Sequence, residues 1–280
     1  MKTMKHIGIE KKLLSWGMAL LLLLGCAAAA ADTLADIQAK GELVVGMSVD
    51  FPPYEFYGMD PATGKETTLG FDVKLAEGIA SALGVKVKLA DQSFAGLITA
   101  LSAGEIDMVI SAMAIKPERL EVVDFTVPYY TGSQVVLVAA DQQDSYQTAA
   151  DFDGKTVGAQ LGALQAEILE AQFPNATPYL INNMSIMAMD LVQGNIDGWI
   201  TPALVAQQYM AAYPGKLAVS AVPVSYASHG GSAVAVAKGD NAALLEQVNA
   251  YITQVKEDGT LDQWIQEACQ QSVDLLEKPE

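Results

Sequence analysis

The sequence predicts an α/β protein made of two lobes of one plan with a ligand cleft between them, and three observations carry that reading. Apolar strands and amphipathic helices alternate from residue 41 onward, the rhythm of sheets with helices on their faces. Residues 101–111, "LSAGEIDMVIS", return at 191–201 as "LVQGNIDGWIT". Leu101/Leu191, Gly104/Gly194, Ile106/Ile196, Asp107/Asp197, Ile110/Ile200 and Ser111/Thr201 fall at the same offsets, each copy reading as helix end, glycine stop, strand. The plainer alternative is chance, since that order of elements recurs in many α/β chains. The third observation is Arg119, the one arginine among 15 lysines, placed just beyond the first copy.

Taken in order, residues 1–31 read as an export segment and not as part of the fold. Lys2, Lys5, Lys11 and Lys12 precede an apolar run from Leu13 to Leu24, shorter than the roughly 20 residues a membrane-spanning helix needs. Leu23-Leu24-Gly25-Cys26 has the form of a lipobox, with Cys26 the lipidated mature N-terminus; Ala29 to Ala31 could instead be an A-x-A cut that discards Cys26. The lipobox is favoured because Cys26 directly follows the leucine run and a glycine. Both readings export the protein, to a lipid-anchored outer face or to the periplasm.

Residues 41–49, "GELVVGMSV", are a strand by β-branched content. Residues 71–83 put Val73, Ala76, Ile79, Ala80 and Leu83 on one helical face, with Gly84 as stop. Residues 85–91, "VKVKLAD", alternate as a half-buried strand, 94–104 form a helix closed by Gly104, and 107–113, "DMVISAM", form an apolar strand. Two helices close the chain. Asp240 is placed to cap the first, which runs to Gly259; Thr260 opens the second with Gln263 as its capping-box partner.

Beyond residue 32 the chain keeps 12 basic and 31 acidic residues, a formal net charge of −19, which repels nucleic acid and anionic lipid. Only Cys269 follows Cys26, so no internal disulfide and no cysteine metal site can form; it reads as a small core residue. Histidine occurs only at His6 and His229, which excludes a histidine cluster. No metal and no cofactor is expected.

Ligands of α/β sheets sit outside the carboxyl ends of strands. That puts 111–119 on one rim of the cleft and the residues from Thr201 on the other. Pro117-Glu118-Arg119 begins a helix, with proline where its missing N–H costs nothing. A guanidinium there offers a planar fork that holds a carboxylate through two charge-assisted hydrogen bonds. The competing reading is a surface arginine paired with Glu118 or Glu121. In "VDFPPYEFY" (49–57), Phe51 stands at a strand-to-loop junction, as Phe94 does before the next helix, and the two are candidates for walls around a ligand side chain; Tyr54 and Phe56 read as core.

With these residues in view, the chain resembles the amino-acid-binding proteins of ABC importers, the polar-amino-acid branch of the extracytoplasmic solute-binding proteins. The likeness runs from about residue 41 to 270. It rests on "GELVVGMSVDFPPYEF", "LGFDVKLAEGIASALGVKV", "FAGLITALSAGEIDMVISAMAIKPER", "VDFTVPYY", "GKTVGAQLGALQAE" and "GNIDGWIT" together. The resemblance implies the type II periplasmic-binding-protein fold, two lobes on a two-strand hinge. Lobe 1 would be 33–127 with 230–280 and lobe 2 128–229, with crossings near 126–132 and 222–231. It implies that Arg119 binds the ligand carboxylate, that Ser111, Ala112 and Ala114 contact the ammonium and carboxylate, and that Phe51 and Phe94 flank the side chain. Gly162, Ala163, Leu164 and Gln165 would bring helix-start N–H groups from the second lobe, beside Thr201. The chain departs from the family pattern at Ala114, Ala163 and Leu164, where hydroxyls are usual, and at Lys74, where an acid is common. The departure with most consequence is Pro202, one position after Thr201, where an acid normally takes the α-ammonium. By the family pattern Asp50 is then the nearest acid that could serve.

The expected function is capture of a small carboxylate-bearing solute, an amino acid foremost, by a monomer that delivers it to an ABC permease. Two other classes compete. A dehydratase-like enzyme on this fold would need a general acid or base in the cleft, for which Glu55, Glu167 and His229 are the candidates. A receptor module would need a signalling partner, since no transmembrane helix or further domain follows "LLEKPE".

Overall fold

The computed structural model describes residues 33–60, 63–226 and 231–276. The export segment with Cys26, and His229, lie outside them. Helix α1 (Thr33–Lys40) leads into β1 (Glu42–Met47), which pairs in parallel with two later strands. A hairpin of β2 (Phe56–Met59) and β3 (Glu66–Leu69) stands off the sheet before α2 (Phe71–Ala82) and β4 (Lys86–Asp91). A 3₁₀ turn at Phe94–Gly96 precedes α3 (Leu97–Ser102), then β5 (Met108–Val109), the one-turn α4 (Pro117–Leu120) and β6 (Val123–Phe125).

The second sheet takes β7 (Gln134–Ala139), β8 (Thr156–Gln160), α5 (Leu164–Gln172), β9 (Thr177–Ile181), α6 (Met184–Gln193), β10 (Gly198–Pro202), α7 (Ala203–Ala212) and β11 (Leu217–Val219). β12 (Ala235–Ala237) then returns to the first sheet, followed by α8 (Ala242–Glu257) and α9 (Thr260–Leu276). The strand orders are β4-β1-β5-β12-β6 and β11-β7-β10-β8-β9. The chain passes between sheets at 126–133 and, among the described residues, at 220–226 and 231–234. The passes touch: Ser232 N–H donates to the Tyr130 carbonyl at 2.8 Å and Tyr129 N–H to the Ser232 carbonyl at 2.9 Å.

The inner strands of both sheets are buried on both faces, while the edge strands β4 and β9 are more exposed. Val45, Met47, Met108 and Val236 face the cluster under α2 and α8, while Val109 and Ala235 face α3. In the second sheet Leu137 and Trp199 point one way and Val136, Val138 and Ile200 the other.

The internal echo is structural. Asp107 and Asp197 hold equivalent places: each side chain accepts a strand N–H, from Val44 at 2.7 Å and from Thr156 at 2.8 Å. Each also donates its own N–H to the same residue's carbonyl at 2.8 Å. Gly104 and Gly194 supply the left-handed stops before them, at φ 73° and 75°.

Several expectations change. The strand expected over 107–113 pairs only at Met108–Val109, because Ala112 turns left-handed (φ 48°) and lifts the chain out of the sheet. The helix expected over 94–104 starts as a 3₁₀ turn and ends at Ser102. α8 begins after Asn241, not at an Asp240 cap; α9 opens at Thr260, whose N–H the Asp258 carboxylate accepts at 2.9 Å. Cys269 is half-buried and not a core residue, and burial raises its thiol pKa. α9 packs on α2 and α8 but also on α7 of the second sheet, where Ser272 Oγ donates to Gln208 Oε1 at 2.6 Å. Its apolar stripe, Leu261, Trp264, Ile265, Ala268 and Leu275, covers both.

Candidate functional site

The cleft floor begins at Gly70, whose φ of 123° suits glycine alone and where a Cβ would collide with the Tyr54 carbonyl oxygen. That close approach docks the start of α2 on residues 53–54, with Phe71 N–H on the Pro53 carbonyl (3.2 Å) and Asp72 N–H on the Tyr54 carbonyl (2.9 Å). Asp72 and Glu55 are thereby buried together, both fully inaccessible. Asp72 Oδ2 accepts from the Ala112 N–H and the Tyr129 hydroxyl, each at 2.8 Å; Glu55 Oε1 accepts a short hydrogen bond from Ser111 Oγ. The remaining oxygens, Glu55 Oε2 and Asp72 Oδ1, have no other donor. Burial pushes the Asp72 carboxyl up to about 6, and burial together with the Asp72 charge pushes Glu55 well above the usual carboxylate range. The pair pins Ser111 and Ala112 from beneath.

Ala112 is the only non-glycine residue with positive φ among the described residues. That conformation costs roughly 1–2 kcal/mol and turns its N–H down onto Asp72, while its carbonyl accepts from Ser232 Oγ at 3.2 Å. The chain then runs through Ala114 to Lys116 and the turn of α4, with Pro117 in the first helical position. Arg119 is 6% exposed. Its Nη1 donates to the Ala114 carbonyl at 2.7 Å, its Nη2 crosses the cleft to the Gly162 carbonyl at 3.0 Å, and its guanidinium lies 5.5 Å over the Phe94 ring. Burial lowers its pKa, with the Glu167 and Glu118 charges pulling the other way. Among the described residues it forms no ion pair. The surface pairing with Glu118 or Glu121 is absent, since Glu118 bonds to Lys116 instead, at 2.8 Å.

From the other lobe, Gly162 (φ 75°) makes the turn that presents its carbonyl to Arg119, and α5 starts two residues later. The N–H groups in a helix's first turn lack intrahelical partners and favour an anion. Those of Leu164 and Gln165 stand at this place. Ala163, Leu164 and Gln165 line the cleft with Phe51, Phe94, Ala112, Ala114 and Arg119, so eight of the expected residues meet around one cavity. Gln165 Nε2 bonds to Gln134 Oε1 at 2.8 Å.

Four expected residues sit elsewhere. Ser111 lies beneath the floor, its hydroxyl accepting the Ser48 N–H at 3.0 Å while donating to Glu55. Thr201 is buried in β10 with an unpartnered hydroxyl, and the wall beside it is Pro202. Gly162 reaches Arg119 through its carbonyl but borders a neighbouring groove on the outer side of α5. Asp50 faces the start of α6 across the lobes, accepting from Met184 N–H at 2.7 Å and from Ser185 Oγ at 2.8 Å. Burial raises its pKa and those bonds oppose the rise. Glu55 is under the floor, and Glu167 is tied to Lys116 across the cleft by a short ion pair. Lys74 is exposed and pairs with Glu77, away from the cleft.

Tyr54, read as core, lines the cavity with its buried ring 5.5 Å from Phe51. Tyr130, Gln134, Gln160, Tyr226 and Ser232 also line it, unanticipated by sequence reasoning. Gln160 at the carboxyl end of β8 was findable by the rule that strand ends carry sites; Gln134 opens β7, and Tyr130, Tyr226 and Ser232 come from the two crossing segments, whose contents only the pairing of distant segments brings to the cleft. No group of His, Cys, Asp and Glu among the described residues gathers to hold a metal ion, and no described helix is long and apolar enough to cross a membrane.

Residues 43–270 match the bacterial extracellular solute-binding proteins, family 3. The chain is 31% identical over 231 residues to an ABC transporter arginine-binding protein of Escherichia coli K12, covering 81% of this chain and 91% of that one. It is 35% identical over 224 residues to a probable histidine-binding protein of Campylobacter jejuni, covering 79% and 82%. The solved structure of an amino acid ABC transporter substrate-binding protein from Streptococcus pneumoniae, bound to L-arginine, is 32% identical, covers 85% of this chain and 99% of that one, and superposes with a TM-score of 0.80. These relatives are solute-binding proteins of importers and not enzymes, and their two-lobed architecture is the one described above. The chain belongs to the bacterial extracellular solute-binding proteins, family 3, exported proteins that serve ABC import by holding a solute.

Proposed function

We propose that the cleft captures an amino acid or a related small carboxylate by lobe closure, and that Arg119 is the residue that reads the carboxylate. The observation that carries this is a buried guanidinium without a carboxylate partner among the described residues, facing the start of α5. The ligand carboxylate would take the Arg119 fork from one lobe and the N–H groups of Leu164 and Gln165 from the other, so binding and closure are one event. Phe51 and Phe94 would wall its body, Ala112 and Ala114 would offer backbone groups, and Ser111 and Thr201 would support the two rims from behind. Asp50 would latch the closed lobes and not touch the ligand. The protein would work as a monomer held at the membrane by lipid on Cys26, delivering to an ABC permease.

A thermal-shift panel of small carboxylates tests this. A ligand at a hundred times its dissociation constant adds about 2.7 kcal/mol to stability. The shift should vanish in Arg119→Ala while the unliganded melting temperature falls only slightly. An undiminished shift in that variant removes the assignment.

A further inference from the structure

The charged groups around the cavity are unequal in a way that bears on the ligand's chemistry. Among the described residues one lining side chain carries a full charge, Arg119, and none is a carboxylate. Every acid near enough to lend a negative charge is committed. Asp50 bonds to Met184 and Ser185 at the start of α6. Glu55 and Asp72 are fully buried below Ser111 and Ala112, each with one oxygen bonded to that floor. Glu167 is held by Lys116. Where β10 delivers its last residue to the wall, that residue is Pro202, which offers neither a charge nor an N–H.

A ligand ammonium would therefore enter the cavity beside a guanidinium with no carboxylate to meet it. Burying an unpaired ionised group costs several kcal/mol. The aromatic rings do not remove that cost: the Phe94 face is already under the Arg119 guanidinium, and a cation at the neighbouring Phe51 would share the cavity with that same charge. The remaining polar lining is neutral and hydrogen-bonding: Gln134, Gln160, Gln165, Ser232 and the tyrosines. It suits a carbonyl, hydroxyl or amide on the ligand.

We infer that the solute is a carboxylate without a free ammonium, its body uncharged and polar, such as an N-acylated amino acid or a 2-oxo or 2-hydroxy acid. This rests on the carboxylate-capture reading above and narrows it. It also sets this chain apart from relatives whose names specify arginine or histidine.

Calorimetry on the purified protein with matched pairs tests it: L-glutamine against N-acetyl-L-glutamine, L-phenylalanine against phenylpyruvate and 3-phenyllactate, L-leucine against 4-methyl-2-oxopentanoate, with L-arginine beside them. The expected result is that in at least one pair the ammonium-free member binds tenfold or more tightly than its amino acid, and that L-arginine does not bind. The N-acetyl and oxo-acid arms separate the two sources of the same chemistry. Pro202→Asp should move the preference toward the amino acid by about tenfold or more, because it supplies the missing charge. Amino acids binding as tightly as their partners throughout, or a preference unmoved in Pro202→Asp, overturn the inference and leave carboxylate capture standing. Absence of binding by every probe overturns carboxylate capture itself and this inference with it.

Discussion

The two lobes start from the same device and end it differently. In each, a helix stops at a left-handed glycine, an Ile-Asp pair follows, and the aspartate ties its strand to a neighbour through side chain and backbone. Beyond that point they diverge. Lobe 1 breaks its strand at Val109, seats Ser111 and Ala112 on a buried carboxyl pair and carries on to Arg119. Lobe 2 keeps β10 paired as far as Pro202 and passes directly into α7. One lobe presents a charge; the other presents the N–H groups at the start of α5. The repeated scaffold sets where a rim stands, and the residues after the echo decide what it reads.

The widest difference between the lobes is Arg119, so its replacement has the largest expected effect. Arg119→Ala should weaken carboxylate binding by about 100-fold or more, since truncating one partner of a buried charged pair costs roughly 2–5 kcal/mol. Arg119→Lys keeps the charge and loses the fork that also spans Ala114 and Gly162. It should lose on the order of 30-fold, measured by calorimetry, the worth of one hydrogen bond to a charged group. Equal affinity in the lysine variant would mean that the site reads charge alone and the lobes differ less than their geometry says.

The carboxyl pair is the second asymmetry, with no counterpart among the described residues of lobe 2. Glu55→Ala leaves Ser111 and Asp72 buried without their partner and should cost about 3 kcal/mol of folding stability. Glu55→Gln keeps an acceptor for Ser111 and a donor for Asp72, and should be close to neutral. The pH response separates the variants further. Asp72 is raised from 3.8 to about 6 in the folded protein and Glu55 is raised with it, so the folded state binds more protons than the unfolded chain. Stability from the pair is thus fullest below pH 4 and declines as pH rises through 6 and beyond. Denaturant midpoints across that range should fall in the native chain and fall less in Glu55→Gln.

Most of the fold was legible because it rests on periodicity: the βαβ rhythm, the two glycine stops and the position of Arg119 all follow from local patterns. What was not legible is what distant segments impose on one another. Asp72 lies in the first turn of a helix, where an acid ordinarily meets solvent and the dipole; here Tyr129 and Ala112 arrive from the first crossing segment and from the turn after β5 to bury it. Asp50 reads as a rim acid after a strand, and only the approach of α6 reveals a different partner. Tyr130 and Ser232 reach the cavity because two segments 100 residues apart in the chain pair with each other. α9 shows the same limit: its stripe announces burial without saying that two lobes share it.

Asp50 gives the next prediction. It joins lobe 1 to the start of α6, where the helix dipole and two N–H groups favour its charge. Asp50→Ala should weaken ligand binding by about tenfold, the worth of one to two hydrogen bonds to a charged group, and mainly by faster release because those bonds tie one lobe to the other. Stopped-flow release rates check this. A change confined to the association rate would place Asp50 outside the latch.

The smallest effect belongs to the other bond across the cleft, between Lys116 and Glu167. Lys116 is buried, but half of the Glu167 side chain is exposed, and exposed pairs contribute about 0–1 kcal/mol. Lys116 also keeps Glu118, so Glu167→Gln removes one of two anions around it and strands no charge. The expected loss in affinity is about two- to threefold, shrinking as salt is raised. Lys116→Met should cost more than Glu167→Gln, because Glu118 and Glu167 would then face each other near Arg119 without the ammonium between them. A double-mutant cycle on the two positions measures the difference. If the Glu167→Gln loss equals that of Asp50→Ala, then both cross-cleft bonds hold the lobes shut with similar strength, and burial on one side of a pair is enough to make it count.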